Sequence, residues 1–189
     1  MSGAVAPTER PEWAVFGGSF DPPHVGHVLV AAYVLASHSI ERVLVTPTAA
    51  HAFGKKLSSF EDRLKMCELA FEPVRGVELC TIERELPEPN YTLHTLQALA
   101  SRFPNVRLRL LVGSDLQRET HAWHDFASIQ TLAPPLWIAR QGNDPIAGEP
   151  AMPDISSTDV RKRVAAGAPT TGLLSPKVAE YVRSHGLYR

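Results

Sequence analysis

The regular alternation of short apolar runs with longer segments of helical period constrains this fold more than any other feature. Five runs are short, apolar and bounded by turn residues, as buried strands are: residues 13–16, 42–47, 76–80, 106–113 and 135–139. Helical periods fall between them, at residues 25–37, 59–71, 92–102 and 125–131. This alternation predicts an α/β fold with a mostly parallel sheet, right-handed crossovers and helices on both faces.

The segment 59–71 carries the strongest local helix signal. Its apolar stripe repeats at i, i+4, i+7 and i+11 and consists of Phe60, Leu64, Cys67 and Phe71. Such a stripe predicts the face that packs on the core. Ser58 and Glu61 have the spacing of a capping box, which predicts the start of the helix.

The length of 189 residues, with 44% hydrophobic and 21% charged residues, is typical of one globular core. We find no repeat and no linker long enough to separate domains. We therefore predict a single domain over residues 1–189, with a flexible N-terminal tail at 1–12. The Gly- and Pro-rich stretch 140–154 is expected to lead over the surface to a small C-terminal helical part at 155–189.

Charge and composition exclude several classes of protein. The formal net charge of −1 offers no overall field for nucleic acid or an anionic membrane, so any anion is expected to be bound locally. Cys67 and Cys80 fit neither a disulfide framework nor a zinc spacing, and we interpret them as reduced thiols. The longest apolar run, 28–36, is too short to span a bilayer, and no secretory signal is evident. We predict a cytoplasmic protein.

The stretch "VFGGSFDPPHVGHVLVAAYVLA" (15–36) places an unusual density of chemistry between the first strand and the first helix. Gly17 and Gly18 permit a tight bend, and the N-terminus of a helix starting near Val25 directs free N–H groups at the same place. His24 and His27 are three residues apart, so both reach one anion from one helix face. The turn therefore predicts a phosphate site, although neither G-x-G-x-x-G nor G-x-x-x-x-G-K-[ST] is present.

Two motifs resemble the signatures of the adenylyl- and cytidylyltransferases. "GGSFDPPHVGH" (17–27) is similar to G-x-F-D-P-x-H-x-G-H, and "ISSTDVR" (155–161) is similar to I-S-S-T-x-x-R. Within that superfamily the chain most resembles the nicotinate-nucleotide adenylyltransferase family. Three further segments carry this resemblance: "NYTLHTL" (90–96), "VGSDL" (112–116) and "AWHDF" (122–126).

The resemblance extends from Val15 to Tyr188, with two departures. The family commonly has P-P-H-K where this chain has "TAAHAFGKK" (48–56), and Asn90 replaces the Ser of its S-Y-T motif. The resemblance implies a Rossmann-like, doubly wound sheet. It also implies transfer of AMP from ATP to nicotinate mononucleotide, with release of pyrophosphate, in the route to NAD. Mg²⁺ would be held mainly by the ATP phosphates and water, with no dedicated protein ligands.

The family pattern also implies the residues of the site. His24, His27 and Arg161 would be catalytic. The ATP-binding residues would be Gly17, Gly18, Ser19, Phe20, His24, Gly26, His27, Gly113, Asp115, Ile155, Ser156, Ser157 and Arg161. Those for the pyridine mononucleotide would be Lys55, Tyr91, Thr92 and Trp123.

Other interpretations stay open. The acceptor could be nicotinamide mononucleotide, a pantetheine phosphate or a sugar phosphate, or the protein could sense nucleotides without catalysis. Asp21 could simply close its own turn through an Asx bond, and Ser156 and Ser157 could be helix caps. Tyr91 and Thr92 could serve only to cap the start of a helix and to pack there. Trp123 could belong to the core, and Lys55 and Lys56 could be surface charges. A homo-oligomer is also open.

Overall fold

The computed structural model describes residues 10–49 and 57–189, and in them the predicted α/β fold is confirmed. Five strands form one sheet: β1 (Glu12–Gly18), β2 (Arg42–Pro47), β3 (Val77–Leu79), β4 (Arg107–Gly113) and β5 (Pro135–Ile138). Every pairing is parallel, and the spatial order is β3-β2-β1-β4-β5. The chain therefore moves outward from β1 in one direction and then from β4 in the other. The switch point lies between those two strands, and ligands of such sheets bind beyond it.

The helices join and follow these strands. They are α1 (Val25–Ser37), α2 (Phe60–Phe71), α3 (Thr92–Arg102), α4 (Phe126–Leu132), α5 (Ser157–Ala165) and α6 (Pro176–Ser184). Short 3₁₀ segments cover Ile82–Glu85 and Ser114–Ala122. Helix α3 begins and ends at the residues that the sequence predicts. None of the helices within 10–49 and 57–189 has the length and apolar character needed to cross a bilayer.

Two core clusters lie on opposite faces of the sheet. Successive strand residues point to opposite faces, so Val43 packs with α1, α2, α5 and α6, whereas Leu44 packs with α3 and α4. Ala14 and Val15 divide in the same way. Helices on both faces make the sheet doubly wound, as predicted. Residues 1–9 and 50–56, including Lys55 and Lys56, lie outside the described residues.

The buried face of α2 differs from the predicted stripe. Cys67 and Phe71 are buried, but Phe60 and Leu64 are only partly so, and the fully buried side chains include Arg63, which is 1% exposed. The helix start is also one residue later than predicted: Ser59, not Ser58, is the N-cap, and its side chain accepts from the N–H of Asp62. From periodicity alone, an arginine such as Arg63 is expected to face solvent. Arg63 is inside because its guanidinium finds three backbone acceptors there, described below.

Candidate active site

A cleft of about 630 Å³ opens at the carboxyl ends of β1 and β4, where the switch point predicts a ligand site. It is lined by nearly all of the residues that the resemblance implies. These are Gly17, Gly18, Ser19, Phe20, His24, Gly26, His27, Thr92, Gly113, Asp115, Trp123, Ile155, Ser156, Ser157 and Arg161. Tyr91 is beside the cleft but does not line it, and Lys55 lies outside the described residues. A volume of this size suits a nucleotide-sized ligand.

The turn after β1 is built differently from the prediction. Gly17 and Gly18 are still paired with β2 in strand β1, and the bend comes at Phe20, whose φ of +47° is left-handed. This backbone is costly for a bulky residue. Phe20 is 1% exposed and packs edge-on against Phe16 and Phe71, so the core holds the strained turn in place. Gly17 leaves open space at the cleft, where a side chain would otherwise stand.

His24 and His27 stack face to face at the start of α1. Their ring centroids are 3.7 Å apart, and the backbone N–H of His24 donates to Nδ1 of the His27 ring at 3.1 Å. An acceptor Nδ1 places the proton of a neutral His27 ring on Nε2. Nδ1 of His24 is buried and has no hydrogen-bond partner among the described residues. Gly26 permits this arrangement, because a Cβ there would come within about 3.1 Å of the His24 ring.

Both imidazoles are neutral near pH 7. Burial, and then the positive charge of Arg140, lower the pKa of His24 to about 4. Burial, His24 and Arg140 lower the pKa of His27 well below its ordinary value. The sequence suggested a pair that neutralises phosphate charge. The neutral pair supplies hydrogen-bond donors and acceptors, and the positive charge at the cleft comes from Arg140 and Arg161.

The second signature is brought to the same cleft by the start of α5. Ser156 is the N-cap, and its hydroxyl accepts from the N–H of Asp159 at 3.0 Å. The Ser157 hydroxyl donates to the carbonyl oxygen of Pro22 at 2.9 Å, which ties α5 to the turn. The Ser156 hydroxyl is therefore a helix cap, one of the interpretations left open above. The Ser157 hydroxyl instead tethers the helix to the turn. Among the first N–H groups of α5, that of Asp159 is capped, and those of Ser157 and Thr158 are left to face an anion.

Arg161 is partly buried one turn into α5 and lines the cleft. Its Nη1 donates to the carbonyl oxygen of Asp21 at 2.6 Å, and its Nη2 donates to Oγ1 of Thr158 at 3.2 Å. The guanidinium is thereby fixed in orientation beside the turn. We call His24, His27, Ser156, Ser157 and Arg161 the histidine side of the cleft.

Arg140 is a cleft residue that the sequence analysis missed. It follows β5, and its Nη1 forms an ion pair with Asp115 at 3.0 Å. Its Nη2 donates to the carbonyl oxygen of Ile155 at 3.0 Å, which holds the second signature against the sheet. Gly113 leaves room for this ion pair, because a Cβ there would lie 2.3 Å from Oδ1 of Asp115 and would force that carboxylate to move. A basic residue just past the carboxyl end of a strand was the available signal.

The cleft is also lined by Thr48, Glu83, Thr92, Thr95 and Trp123, which we call its tryptophan side. Trp123 is partly buried, packs edge-on against Phe126 at 5.8 Å and leaves part of its ring to the cleft. Trp123 therefore both packs on the core and presents part of its ring to the cleft. Tyr91 is the N-cap residue of α3 and stacks on His124 at 4.6 Å, so it supports this side from outside.

Glu83 organises the tryptophan side and was also missed. It is 8% exposed, and its carboxylate accepts from the N–H of Ala49 at 3.0 Å and from Oγ1 of Thr95 at 3.2 Å. Burial raises its pKa, and these bonds oppose the shift. Asn90, one of the two departures from the family pattern, donates from Nδ2 to the backbone oxygen of Glu83 at 2.8 Å. Nothing local marks Glu83, since its partners are remote in sequence.

Arg63 connects three segments around the turn. Its guanidinium donates to the carbonyl oxygens of Ser19 at 2.9 Å, Thr48 at 2.7 Å and Ser58 at 3.1 Å. Burial lowers its pKa, and the charge of Asp21 opposes that shift. The Ser19 oxygen belongs to the turn after β1 and the Thr48 oxygen to the loop after β2. One buried cation therefore links the turn after β1 to the loop after β2, which contributes Thr48 to the tryptophan side.

The fold and the site define a nucleotidyltransferase of the cytidylyltransferase-like class, and the model of that family matches residues 15–163. The chain is 45% identical over 181 residues to a protein of Anaeromyxobacter sp. (strain K) named "Probable nicotinate-nucleotide adenylyltransferase", covering 94% of this chain and 97% of the relative. A Myxococcus xanthus protein of the same name is 36% identical, with 93% of each chain covered. The chain belongs to the nicotinate-nucleotide adenylyltransferase family.

A solved structure supports the fold independently. The nicotinic acid mononucleotide adenylyltransferase of Plasmodium falciparum, complexed with NaAD, superposes with a TM-score of 0.78 at 18% identity. The match covers 94% of this chain and 97% of that one. At this identity the likeness concerns the architecture, and it confirms the Rossmann-like sheet that the family resemblance implies.

Proposed function

We propose that this protein transfers AMP from ATP to nicotinate mononucleotide and releases pyrophosphate, as a step in NAD biosynthesis. One observation carries the proposal: the stacked His24–His27 pair, Arg161 and the N-termini of α1 and α5 converge on one side of a cleft whose other side offers an aromatic ring. The names of the relatives support the same reaction. So do the NaAD and APC complexes of the Plasmodium protein, which shares the fold.

The reaction needs no protein nucleophile. A phosphate oxygen of nicotinate mononucleotide attacks the α-phosphorus of ATP, a P–O bond forms, and the bond to the β-phosphate oxygen breaks as pyrophosphate leaves. Catalysis then consists of positioning and of stabilising charge on the phosphoryl oxygens. On the histidine side the neutral imidazoles would donate N–H groups, while Arg161 and the two helix N-termini would supply positive potential.

Arg140 adds a further charge near the histidines. Part of that charge is balanced by Asp115, since Nη1 of Arg140 is 3.0 Å from Oδ2 of that carboxylate. Asp115 lines the cleft, and 33% of its side chain is exposed. Its carboxylate can therefore accept a hydrogen bond from a hydroxyl group, such as that of a ribose. We propose this contact for the ATP ribose.

The tryptophan side would receive the pyridine ring. Trp123 offers a flat face, and the N-terminal N–H groups of α3, beginning at Thr92, would favour a carboxylate over a neutral amide. Glu83 lies in the same part of the cleft, but Ala49 and Thr95 already donate to its carboxylate. The acid group of nicotinate, rather than the amide, is thus the better fit to the helix terminus.

Mg²⁺ would arrive with the ATP phosphates. It would be held mainly by those phosphates and by water, as this hard ion usually is. We further propose that residues 1–189 act as one domain, and that the protein works in the cytoplasm.

The proposal is tested by measuring pyrophosphate release with ATP and a panel of phosphomonoesters, using a coupled pyrophosphatase readout. We expect kcat/KM for nicotinate mononucleotide to exceed that for nicotinamide mononucleotide by at least about tenfold. A His24→Ala/His27→Ala protein, purified in parallel, controls for contaminating activity. A higher rate with another phosphomonoester would replace the acceptor, and absence of release with every member would leave a nucleotide-binding module.

A further inference from the structure

The segment after α6 reaches back to the turn after β1. The hydroxyl of Tyr188 donates to Oδ1 of Asp21 at 2.6 Å, and the two residues are 167 positions apart. Tyr188 is partly buried and has a left-handed φ of +63°. Such a backbone is unfavourable for an aromatic residue and persists only where its surroundings hold it.

Asp21 is the centre of this contact. It is 2% exposed, and its other carboxylate oxygen accepts from the N–H of Ser58 at 3.3 Å. Its carboxylate therefore fastens the turn to remote segments rather than closing the turn itself. The backbone oxygen of the same residue accepts from Nη1 of Arg161 at 2.6 Å. Asp21 thus joins Tyr188 on one side to Arg161 on the other.

We propose that Tyr188 is a positioning residue for nucleotidyl transfer: its hydroxyl fixes Asp21, and the backbone of Asp21 in turn fixes the guanidinium of Arg161. This inference rests on the proposed function, in which Arg161 contacts the triphosphate. Burial and the bond to Asp21 raise the pKa of Tyr188, so the hydroxyl keeps its proton and donates throughout the working range.

The chain provides a matched control. Tyr181, on α6, is also partly buried, and its hydroxyl donates to Oδ1 of Asp62 at 2.9 Å. Asp62 belongs to the first turn of α2 and has no bond to Asp21 or Arg161. Tyr181→Phe and Tyr188→Phe therefore each remove one hydroxyl-to-carboxylate bond, but only the second bond leads to the cleft.

We expect Tyr188→Phe to lower kcat about tenfold, with the KM for nicotinate mononucleotide within about threefold of the wild type. Tyr181→Phe should stay within about twofold in both. Replacing Tyr188 by 4-aminophenylalanine, which keeps a donor at the same place, should restore most of the rate. Equal effects of the two Phe variants, or no recovery with the amino group, would overturn the inference.

A double-mutant cycle tests the route through Arg161. In an Arg161→Lys background, Tyr188→Phe should add no more than about a twofold further loss, because the group that it positions has already been changed. Two effects that multiply would overturn the inference. So would a Tyr188→Phe protein that is unfolded at the assay temperature while Tyr181→Phe is folded, since Tyr188 would then serve the whole fold.

The same variants separate this inference from the proposed function. If the wild type releases no pyrophosphate with pyridine mononucleotides, the proposed function fails. ATP affinity, measured by calorimetry without an acceptor, then decides on Tyr188. The inference holds if Tyr188→Phe weakens ATP binding at least about threefold and Tyr181→Phe does not, and it fails if both bind ATP like the wild type.

Discussion

The histidine side and the tryptophan side of the cleft are built by different means. His24, His27, Ser156 and Arg161 come from two short motifs placed at the starts of two helices, α1 and α5. The tryptophan side collects residues from the loop after β2, a 3₁₀ segment, α3 and the loop after β4. The Glu83 carboxylate links two of these segments by accepting from Ala49 and Thr95. A phosphate site can therefore be built from a few residues at helix starts. A site for a particular ring and its substituent depends on long-range packing.

The largest effect on catalysis is expected at the two histidines of the cleft. We expect His24→Ala and His27→Ala each to lower kcat by about 10²-fold or more, because pre-placed donors to a developing charge are worth about 3–4 kcal/mol. The KM for ATP should remain within about tenfold. Steady-state kinetics would check this, with His121→Ala as the control, since His121 is exposed and its Nδ1 donates to the carbonyl oxygen of Arg118. Near-normal turnover in both variants would remove the histidine side from catalysis.

The stability of the histidine side should depend on pH. His24 has a pKa near 4 when folded, against 6.5 as its ordinary value, so the unfolded chain binds more protons between these values and stability falls as the pH falls. Between pH 7 and pH 5 we expect His24 to cost about 2 kcal/mol of unfolding free energy. Urea unfolding should show a correspondingly smaller loss in His24→Ala than in the wild type or His121→Ala. Equal losses of unfolding free energy in all three proteins would contradict a neutral His24 in the folded protein.

Arg161 tests whether geometry or charge alone matters on the histidine side. Arg161→Lys keeps the charge but loses the fork that reaches both the Asp21 oxygen and Thr158. We expect kcat/KM for ATP to fall about tenfold. Arg163→Lys, at an exposed position of the same helix, serves as the control and should be unaffected. A fully active Arg161→Lys protein would show that a point charge is enough.

The smallest effect is expected on the tryptophan side. Trp123→Ala should raise the KM for nicotinate mononucleotide about fivefold with little change for ATP, since aromatic stacking is worth about 0.5–1.5 kcal/mol. Trp123→Phe keeps a flat ring and should recover most of the affinity. A change in the KM for ATP alone would move Trp123 to the other substrate, and the division of the cleft into two sides would fail.

The sequence predicts well what depends on local order. Strand and helix bounds follow from periodicity, and Thr92–Arg102 is correct at both ends. The turn after β1 and the segment 155–161 were identified because their residues are contiguous, and both line one cleft. Local patterns also decide helix starts to within a residue, as the shift from Ser58 to Ser59 shows.

The errors and omissions share a physical cause. Arg63 is not part of the predicted apolar stripe, and it is buried because carbonyl groups of Ser19, Thr48 and Ser58 accept from its guanidinium. Glu83 and Arg140 have no local motif, and their meaning comes from Ala49, Thr95, Asp115 and Ile155, which the fold brings to them. The bend fell at Phe20 rather than at the glycines because burial of its ring offsets a backbone cost that periodicity does not register.

The bonds that fasten the turn after β1 have a consequence for folding kinetics. Tyr188 to Asp21, Arg161 to Asp21 and Ser157 to Pro22 span 167, 140 and 135 residues. Closing a loop of this length is entropically costly, but once one such loop has closed, the others close between segments that are already neighbours. The three bonds should therefore form together and late, after the local helices. During refolding, secondary structure should return before the capacity to bind nucleotide, and that capacity should appear in a single step.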